Sequence, residues 1–110
     1  MLKIDLSKIG PIEEISLTGK LEITTAKRFD IVFKDIAERN PVAIGINLEN
    51  LRYIDSSGIS SLLRASNIAS KAKIRFGCYG ATAETQSIFN LSQVSSHINL
   101  TTKSEFYITG

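Results

Sequence analysis

A chain of 110 residues has the length of one domain, residues 1–110, and can bury one modest hydrophobic core. With 43% hydrophobic and 22% charged residues it reads as a soluble globular protein, and a net charge of +2 argues against direct nucleic-acid binding. The apolar runs are too short for membrane insertion, the N-terminus lacks the apolar segment of a secretory signal, and a lone cysteine excludes an internal disulfide, so we expect a cytoplasmic protein.

The N-terminal segment predicts two strands. Apolar and polar residues alternate from Leu2 to Leu6, and a second alternating run ends at Gly19. Gly10-Pro11 between them predicts a turn. An antiparallel hairpin is the simplest arrangement of two strands joined so closely.

A helical period begins after Thr24. The apolar residues that recur at helical spacing are Ala26, Phe29, Phe33, Ile36 and Ala37. Thr24 or Thr25 can cap this helix, and Asn40-Pro41 ends it because the residue before a proline avoids the helical region.

The run PVAIGINL predicts a central strand with two unlike faces. Its large face carries Val42, Ile44, Ile46 and Leu48, and its small face carries Ala43, Gly45 and Asn47. Small residues on one face would let another element approach the strand closely. The following segment ENLRYID is expected to form a loop.

The second half of the chain predicts a helix from about Ser57 to Lys71, with Ile59 and Leu62 inward and Ser61 largely elsewhere. KIRFGCYG predicts a strand that contains Cys78, and Thr82 can cap a third helix. HINL predicts a last short strand, and the tail is either a helical turn or a strand. The order ββαβαβαβ predicts one α/β domain with a mixed, mostly parallel sheet.

Two adjacent serines open the second helix in the segment YIDSSGIS. Asp55 and Ser56 lie where a helix N-cap is expected, and a cap alone would explain them. A catalytic serine would need a nearby base, but His97 is the only histidine, and the segment is not a G-x-S-x-G elbow. We therefore expect no enzyme, no catalytic residue, no metal and no cofactor.

A third interpretation makes the serine pair a phosphorylation site. A phosphate at a helix N-terminus is tolerated by the helix dipole and by unpaired N–H groups. It would add about 1.5 to 2 negative charges at neutral pH beside Asp55. A partner surface built for neutral serines would then be repelled, while the fold stays intact.

The segment INLENLRYIDSSGISSLLRA, residues 46–65, resembles the core signature of the STAS domain family, specifically the bacterial anti-sigma factor antagonists. That signature is an apolar strand, an acidic-apolar loop, and Asp-Ser-(Ser/Thr)-Gly opening a helix. LTGKLEITTAKRF, residues 17–29, is similar to the family's upstream motif, and the element order matches over nearly the whole chain. The resemblance implies a STAS-like fold, a small mixed β-sheet with helices packed mainly on one face.

The resemblance also implies a role for each residue of the central motif. Ser56 corresponds to the serine that the partner kinase phosphorylates, and Asp55 would shape this acceptor site. Ser57 would be its supporting neighbour, and Gly58 would let the backbone of the partner come close. The loop beside this site would complete the docking surface through Gly19, Lys20, Leu21, Glu22 and Thr24.

The partners implied by the resemblance are an anti-sigma factor serine kinase of the GHKL type and a PP2C-type phosphatase. The unphosphorylated protein would bind the kinase and so release a sigma factor, and phosphorylation would end that binding. The alternative is a STAS scaffold or an accessory subunit of a signalling complex or membrane transport system, and Ser56 argues mildly against it. A monomer and a weak dimer both stay open.

Overall fold

The computed structural model describes residues 1–91, 98 and 100–108. In chain order the elements are β1 (Leu2–Ile9), β2 (Ile12–Leu21), α1 (Ala26–Glu38), β3 (Ala43–Ile54), α2 (Ser56–Lys71), β4 (Arg75–Tyr79), α3 (Ala83–Leu91), β5 (Leu100–Thr101) and α4 (Lys103–Ile108). These strands form one mixed sheet in the order β1-β2-β3-β4-β5, in which β1 and β2 pair antiparallel and the other neighbours pair parallel. The predicted α/β class is confirmed.

The predicted hairpin is confirmed, and its turn depends on glycine. β1 and β2 pair in register from Leu2 opposite Gly19 to Ile9 opposite Ile12. Gly10 between them has a φ of +60°, a left-handed conformation that glycine adopts without strain. The hairpin places the end of β2 beside β3, where the second helix begins.

Three helices share one hydrophobic core with one face of the sheet. Its largest fully buried side chains include Phe29, Phe33, Phe89, Ile15, Leu17, Ile44, Ile46 and Leu48. An ion pair of 2.8 Å between Asp30 of α1 and Arg64 of α2 links the two longest helices across their outer surface. The placement of Ser61 away from the buried stripe was wrong: Ser61 is fully buried, and its hydroxyl lies 3.5 Å from the carbonyl oxygen of Ala26, because α1 packs on that side of α2.

β3 differs from its prediction at both ends. Val42 lies before the strand and is 62% exposed, so it does not belong to the large buried face. The segment expected to be a loop continues β3 to Ile54, because the second half of β2 pairs with it. Two register shifts, opposite Ser16/Thr18 and Gly19/Lys20 of β2, each place one extra residue in β3 and accommodate this long pairing.

The opposite face of the sheet carries α4, the tail whose structure the sequence left open. Phe106 of α4 packs with Tyr79, Ile12 and Ala43 in a second buried cluster. A β-carbon on Gly45 would lie 2.6 Å from the Tyr79 ring and 2.9 Å from that of Phe106. The prediction that the small face of this strand admits another element is confirmed.

The remaining elements follow the prediction in part. Thr82 caps α3, since its hydroxyl accepts a hydrogen bond of 3.2 Å from the Thr85 N–H. The last strand lies at Leu100–Thr101, later than expected. His97, which was predicted to begin it, lies outside the described residues.

A buried carboxylate, Glu14, holds α4 against the sheet. Its Oε2 accepts hydrogen bonds from the hydroxyls of Tyr79 at 2.6 Å and Tyr107 at 3.1 Å, and the Lys103 ammonium lies at 3.5 Å. Burial opposes ionisation, but the two hydroxyls and the ammonium together lower the pKa of Glu14 below 4.5, its ordinary value. The ionised form is therefore the one that the folded state favours.

The Glu14 network predicts an acid-dependent loss of stability. Because the folded state lowers the pKa of Glu14, the stabilisation is present above 4.5 and is lost as the pH falls through the lower, folded-state pKa. We expect Glu14→Gln to unfold at lower urea concentration than the wild type at pH 7, and the difference to shrink at pH 3. Glu13→Gln, on the neighbouring residue, is the control. A difference that does not change with pH would contradict the prediction.

Candidate functional site

Asp55 connects the start of α2 to the loop between β2 and α1. It has extended backbone dihedrals, and its Oδ1 accepts a hydrogen bond of 3.0 Å from the Gly58 N–H. Its Oδ2 accepts one of 3.2 Å from the N–H of Ile23, which is 32 residues earlier in the chain. The predicted N-cap is confirmed for Asp55, whereas Ser56 is the first residue of the helix.

The structure separates the two serines. Ser56 is exposed in the first turn of α2, where the backbone N–H groups lack intrahelical acceptors. Ser57 is half-buried and lines a shallow groove of about 360 Å³ between α1 and α2, together with Ile23 and Lys27. Of the two hydroxyls, that of Ser56 is the more accessible to another protein.

Gly58 is buried against its own chain. A β-carbon at this position would collide with the carbonyl oxygen of Leu21 and lie 2.7 Å from Cγ1 of Ile54. The carbonyl oxygen of Leu21 in turn accepts a hydrogen bond of 3.3 Å from the Asp55 N–H. Close packing of α2 on the end of β2 therefore requires glycine at position 58 within the chain itself, independently of any contact with a partner.

The loop beside the acceptor is shaped by Thr25. Its hydroxyl donates a hydrogen bond of 2.8 Å to the carbonyl oxygen of Lys20 and accepts one of 3.0 Å from the Glu22 N–H. Thr25 occupies the N-cap position of α1, but its side chain makes no cap hydrogen bond. The sequence predicted that Thr24 or Thr25 would cap α1 with its side chain. Neither does so, because Thr25 occupies the cap position and its hydroxyl bonds to the preceding loop instead.

The predicted docking residues of this loop have unequal exposure. Lys20 and Thr24 are exposed, Gly19 and Glu22 are half-buried, and the side chain of Leu21 is fully buried in the core. Only the backbone of Leu21 reaches the site, through its contact with Gly58 and its bond to Asp55.

Ile23 is the residue of this site that the sequence reasoning missed. Its side chain is 75% exposed, although it is apolar and lies in the groove next to Ser57. The signal was an isolated apolar residue between Glu22 and Thr24, just before the helical period begins. A single exposed apolar side chain is common on protein surfaces, and here it adds apolar area to the groove that Ser57 lines.

Comparison with known protein families decides the classification. The family model described as STAS domain matches residues 3–106. The chain belongs to the STAS domain family. No curated protein matches the sequence of this STAS domain.

Solved structures show the same fold at low sequence identity. An anti-sigma factor antagonist from Mycobacterium paratuberculosis has a TM-score of 0.85 and 16% identity, over 99% of this chain and 92% of that one. SpoIIAA in its unphosphorylated form has a TM-score of 0.78 and 19% identity, over 96% and 93%. The phosphorylated Bacillus SpoIIAA has a TM-score of 0.73 and 17% identity, over 97% of this chain and 98% of that one.

The fold also occurs in proteins of another kind. A sulfate transporter family protein from Wolinella succinogenes has a TM-score of 0.73 and 14% identity, over 89% of this chain and 83% of that one. In the part of this STAS domain that the structure describes, each helix is too short or too polar to cross a bilayer.

Proposed function

We propose that this STAS domain is a phosphorylation-regulated anti-sigma factor antagonist that acts in the cytoplasm as a binding protein and not as an enzyme. The unphosphorylated form binds a GHKL-type serine kinase that is also an anti-sigma factor, which releases the sigma factor. The kinase phosphorylates Ser56, and a PP2C-type phosphatase restores the binding form. The observation that carries the proposal is an exposed Ser56 at a helix start whose cap and neighbouring loop are held by Asp55.

The site favours a switch over a catalyst for a physical reason. Both oxygens of Asp55, the carboxylate next to Ser56, accept hydrogen bonds from backbone N–H groups, so this carboxylate acts as a structural cap. A phosphate on Ser56 would lie at the positive end of the α2 dipole, which stabilises added negative charge by about 0.3–1 kcal/mol. The helix therefore survives phosphorylation while its outer surface changes charge.

The docking surface in this proposal combines the helix start with the loop Gly19–Thr24. Ile23 supplies exposed apolar area, and Lys20 and Thr24 supply polar contacts at the rim. A doubly charged phosphate at Ser56 would place strong negative charge beside this apolar contact. Removing water from that charge at the interface with the kinase would cost more free energy than the apolar contact provides, so the complex dissociates.

A kinase assay tests the acceptor. The protein is incubated with ATP and each GHKL-type anti-sigma factor encoded in the same genome, and the site is read by tandem mass spectrometry. We expect phosphate on Ser56 in the wild type, none in Ser56→Ala, and unchanged incorporation in the neighbouring control Ser60→Ala. Phosphate confined to Ser57 or to other residues would refute the acceptor assignment.

The charge at position 56 is expected to control binding. Ser56→Asp should weaken binding to the kinase by about tenfold or more, as a charge forced into an apolar contact does. Its free energy of unfolding should stay within about 1 kcal/mol of the wild type, because the added charge lies at the helix N-terminus. Calorimetric titration measures the first quantity and urea unfolding the second. Unchanged binding by Ser56→Asp, or recovery of a transport protein in place of the kinase in pull-downs, would favour the scaffold or transport role.

A further inference from the structure

In the sheet formed by the described residues, β1 is an edge strand with one unpaired side. It runs for eight residues, pairs with β2 on one side, and lies at the margin of the sheet. A long exposed strand edge is a template for pairing with another strand. Its sequence, LKIDLSKI, contains apolar residues and charges of both signs. The alignment of a second strand on this edge therefore determines which charges lie opposite each other.

The hydrogen bonds of the hairpin fix which residues of β1 direct their backbone groups outward. The Lys20 N–H donates a hydrogen bond of 2.9 Å to the carbonyl oxygen of Met1, so odd-numbered residues bond to β2. The even-numbered residues Leu2, Ile4 and Leu6 therefore present their N–H and C=O groups at the free edge. An added antiparallel strand must pair outward-facing residues with outward-facing residues.

This rule restricts how two copies of β1 can pair about a two-fold axis. Residues whose backbone groups face β2 alternate with residues whose backbone groups face outward, and one kind cannot lie opposite the other. The axis must therefore pass midway between two copies of the same residue. An axis at Ile4 places Lys3 of each copy opposite Asp5 of the other, which gives two pairs of opposite charge. The same register places Leu2 opposite Leu6.

The neighbouring registers are electrostatically worse. An axis at Lys3 places two ammonium groups directly opposite each other, and an axis at Asp5 does the same with two carboxylates. An axis at Leu6 places Asp5 opposite the uncharged Ser7. The register about Ile4 is thus selected by charge as well as by backbone geometry.

The side chains that this register uses are accessible. Those of Lys3 and Asp5 are 72% and 55% exposed and lie 3.9 Å apart on one face of the strand. In the antiparallel register they belong to the non-hydrogen-bonded pairs, whose side chains approach most closely. On the other face Leu6 is 50% exposed although it is apolar, and pairing would cover it.

We propose that the free edge of β1 binds a second copy of this chain, antiparallel and centred on Ile4, to form a continuous ten-stranded sheet. β2 lies between this edge and β3, which leads into the helix start that carries Ser56. Strand β2 therefore separates Ser56 from the paired edge, although Gly19 and Lys20 lie opposite Leu2 and Met1 at one end of that edge. The proposal does not depend on the proposed function.

A charge-exchange experiment tests this register. Sedimentation velocity and native mass spectrometry are applied to the full chain, with any tag at the C-terminus, at rising protein concentration. We expect the wild type to dimerise, and Lys3→Glu or Asp5→Lys alone to weaken dimerisation by about tenfold or more, since each places two like-charged pairs opposite each other.

Mixing provides the decisive measurement. In an equimolar mixture of the Lys3→Glu and Asp5→Lys chains, opposite charges face each other at both positions, so a heterodimer of intermediate mass should form. The double variant Lys3→Glu/Asp5→Lys should dimerise with itself, and Lys8→Glu, which lies outside the paired segment, should dimerise like the wild type. A monomeric wild type, single variants that dimerise normally, or a mixture without heterodimer would each overturn the proposal. Circular dichroism checks that every variant is folded.

Discussion

Replacing Gly58 by alanine is expected to lower the free energy of unfolding by about 1–3 kcal/mol, the usual cost of overpacking a filled site. The new β-carbon would collide with the carbonyl oxygen of Leu21 and crowd Ile54. That carbonyl belongs to the backbone and is bonded to the Asp55 N–H, so it cannot move away as a flexible side chain would. At an open helical position the same change would stabilise by about 1 kcal/mol, so a net loss identifies the steric effect.

Urea unfolding followed by circular dichroism measures the effect of Gly58→Ala. The control is Ser60→Ala, an exposed site two residues along the same helix, which should change stability by about 0.5 kcal/mol or less. If Gly58 served only to admit a partner's backbone, Gly58→Ala would keep full stability and lose only binding to the kinase. Stability equal to the wild type would therefore contradict the intrachain explanation of this glycine.

Asp55→Ala is expected to lower the free energy of unfolding by about 1–2 kcal/mol, the upper part of the range for a lost N-cap. The substitution removes the acceptor of the Gly58 N–H and that of the Ile23 N–H together. Asp55→Asn keeps a single side-chain oxygen, so it should satisfy only one of the two donors and show an intermediate loss.

Hydrogen exchange separates the two functions of this carboxylate. In Asp55→Ala, the amides of Ile23 and Gly58 should both exchange faster, because each loses its acceptor. Asp35→Asn is the matched control, since its carboxylate pairs with the exposed Arg39, the residue that follows the same helix, and it should change stability by about 0.5 kcal/mol or less. Unchanged exchange at Ile23 would show that the link between loop and helix does not hold the loop.

Part of the candidate site was readable from local sequence. A short polar side chain before an apolar helical period predicts a helix start, and this placed the cap at Asp55 or Ser56, next to the observed start of α2 at Ser56. The strand alternation and the Gly10-Pro11 turn likewise predicted the hairpin. These features depend on residues a few positions apart, so a short window of sequence contains the interactions that determine them.

The errors arose where a distant segment decided the outcome. ENLRYID carries charged and polar residues typical of a loop, yet it extends β3 because β2 offers a pairing edge along its whole length. Ser61 is polar but fully buried, because α1 covers it. The exposure of Ile23 likewise follows from the way that Asp55 holds its backbone at the surface.

The sequence by itself determined the order of the elements, the family resemblance and the position of Ser56 at a helix start, because capping, alternation and turn chemistry act over short range. Only the tertiary structure decided which serine is accessible, which backbone fills the space at Gly58, and how α4 is held. The network beneath α4 joins Glu14 to Tyr79 and Tyr107, which are 65 and 93 residues further along the chain. Such pairs are specified by strand register and packing, which bring together groups that no local pattern connects.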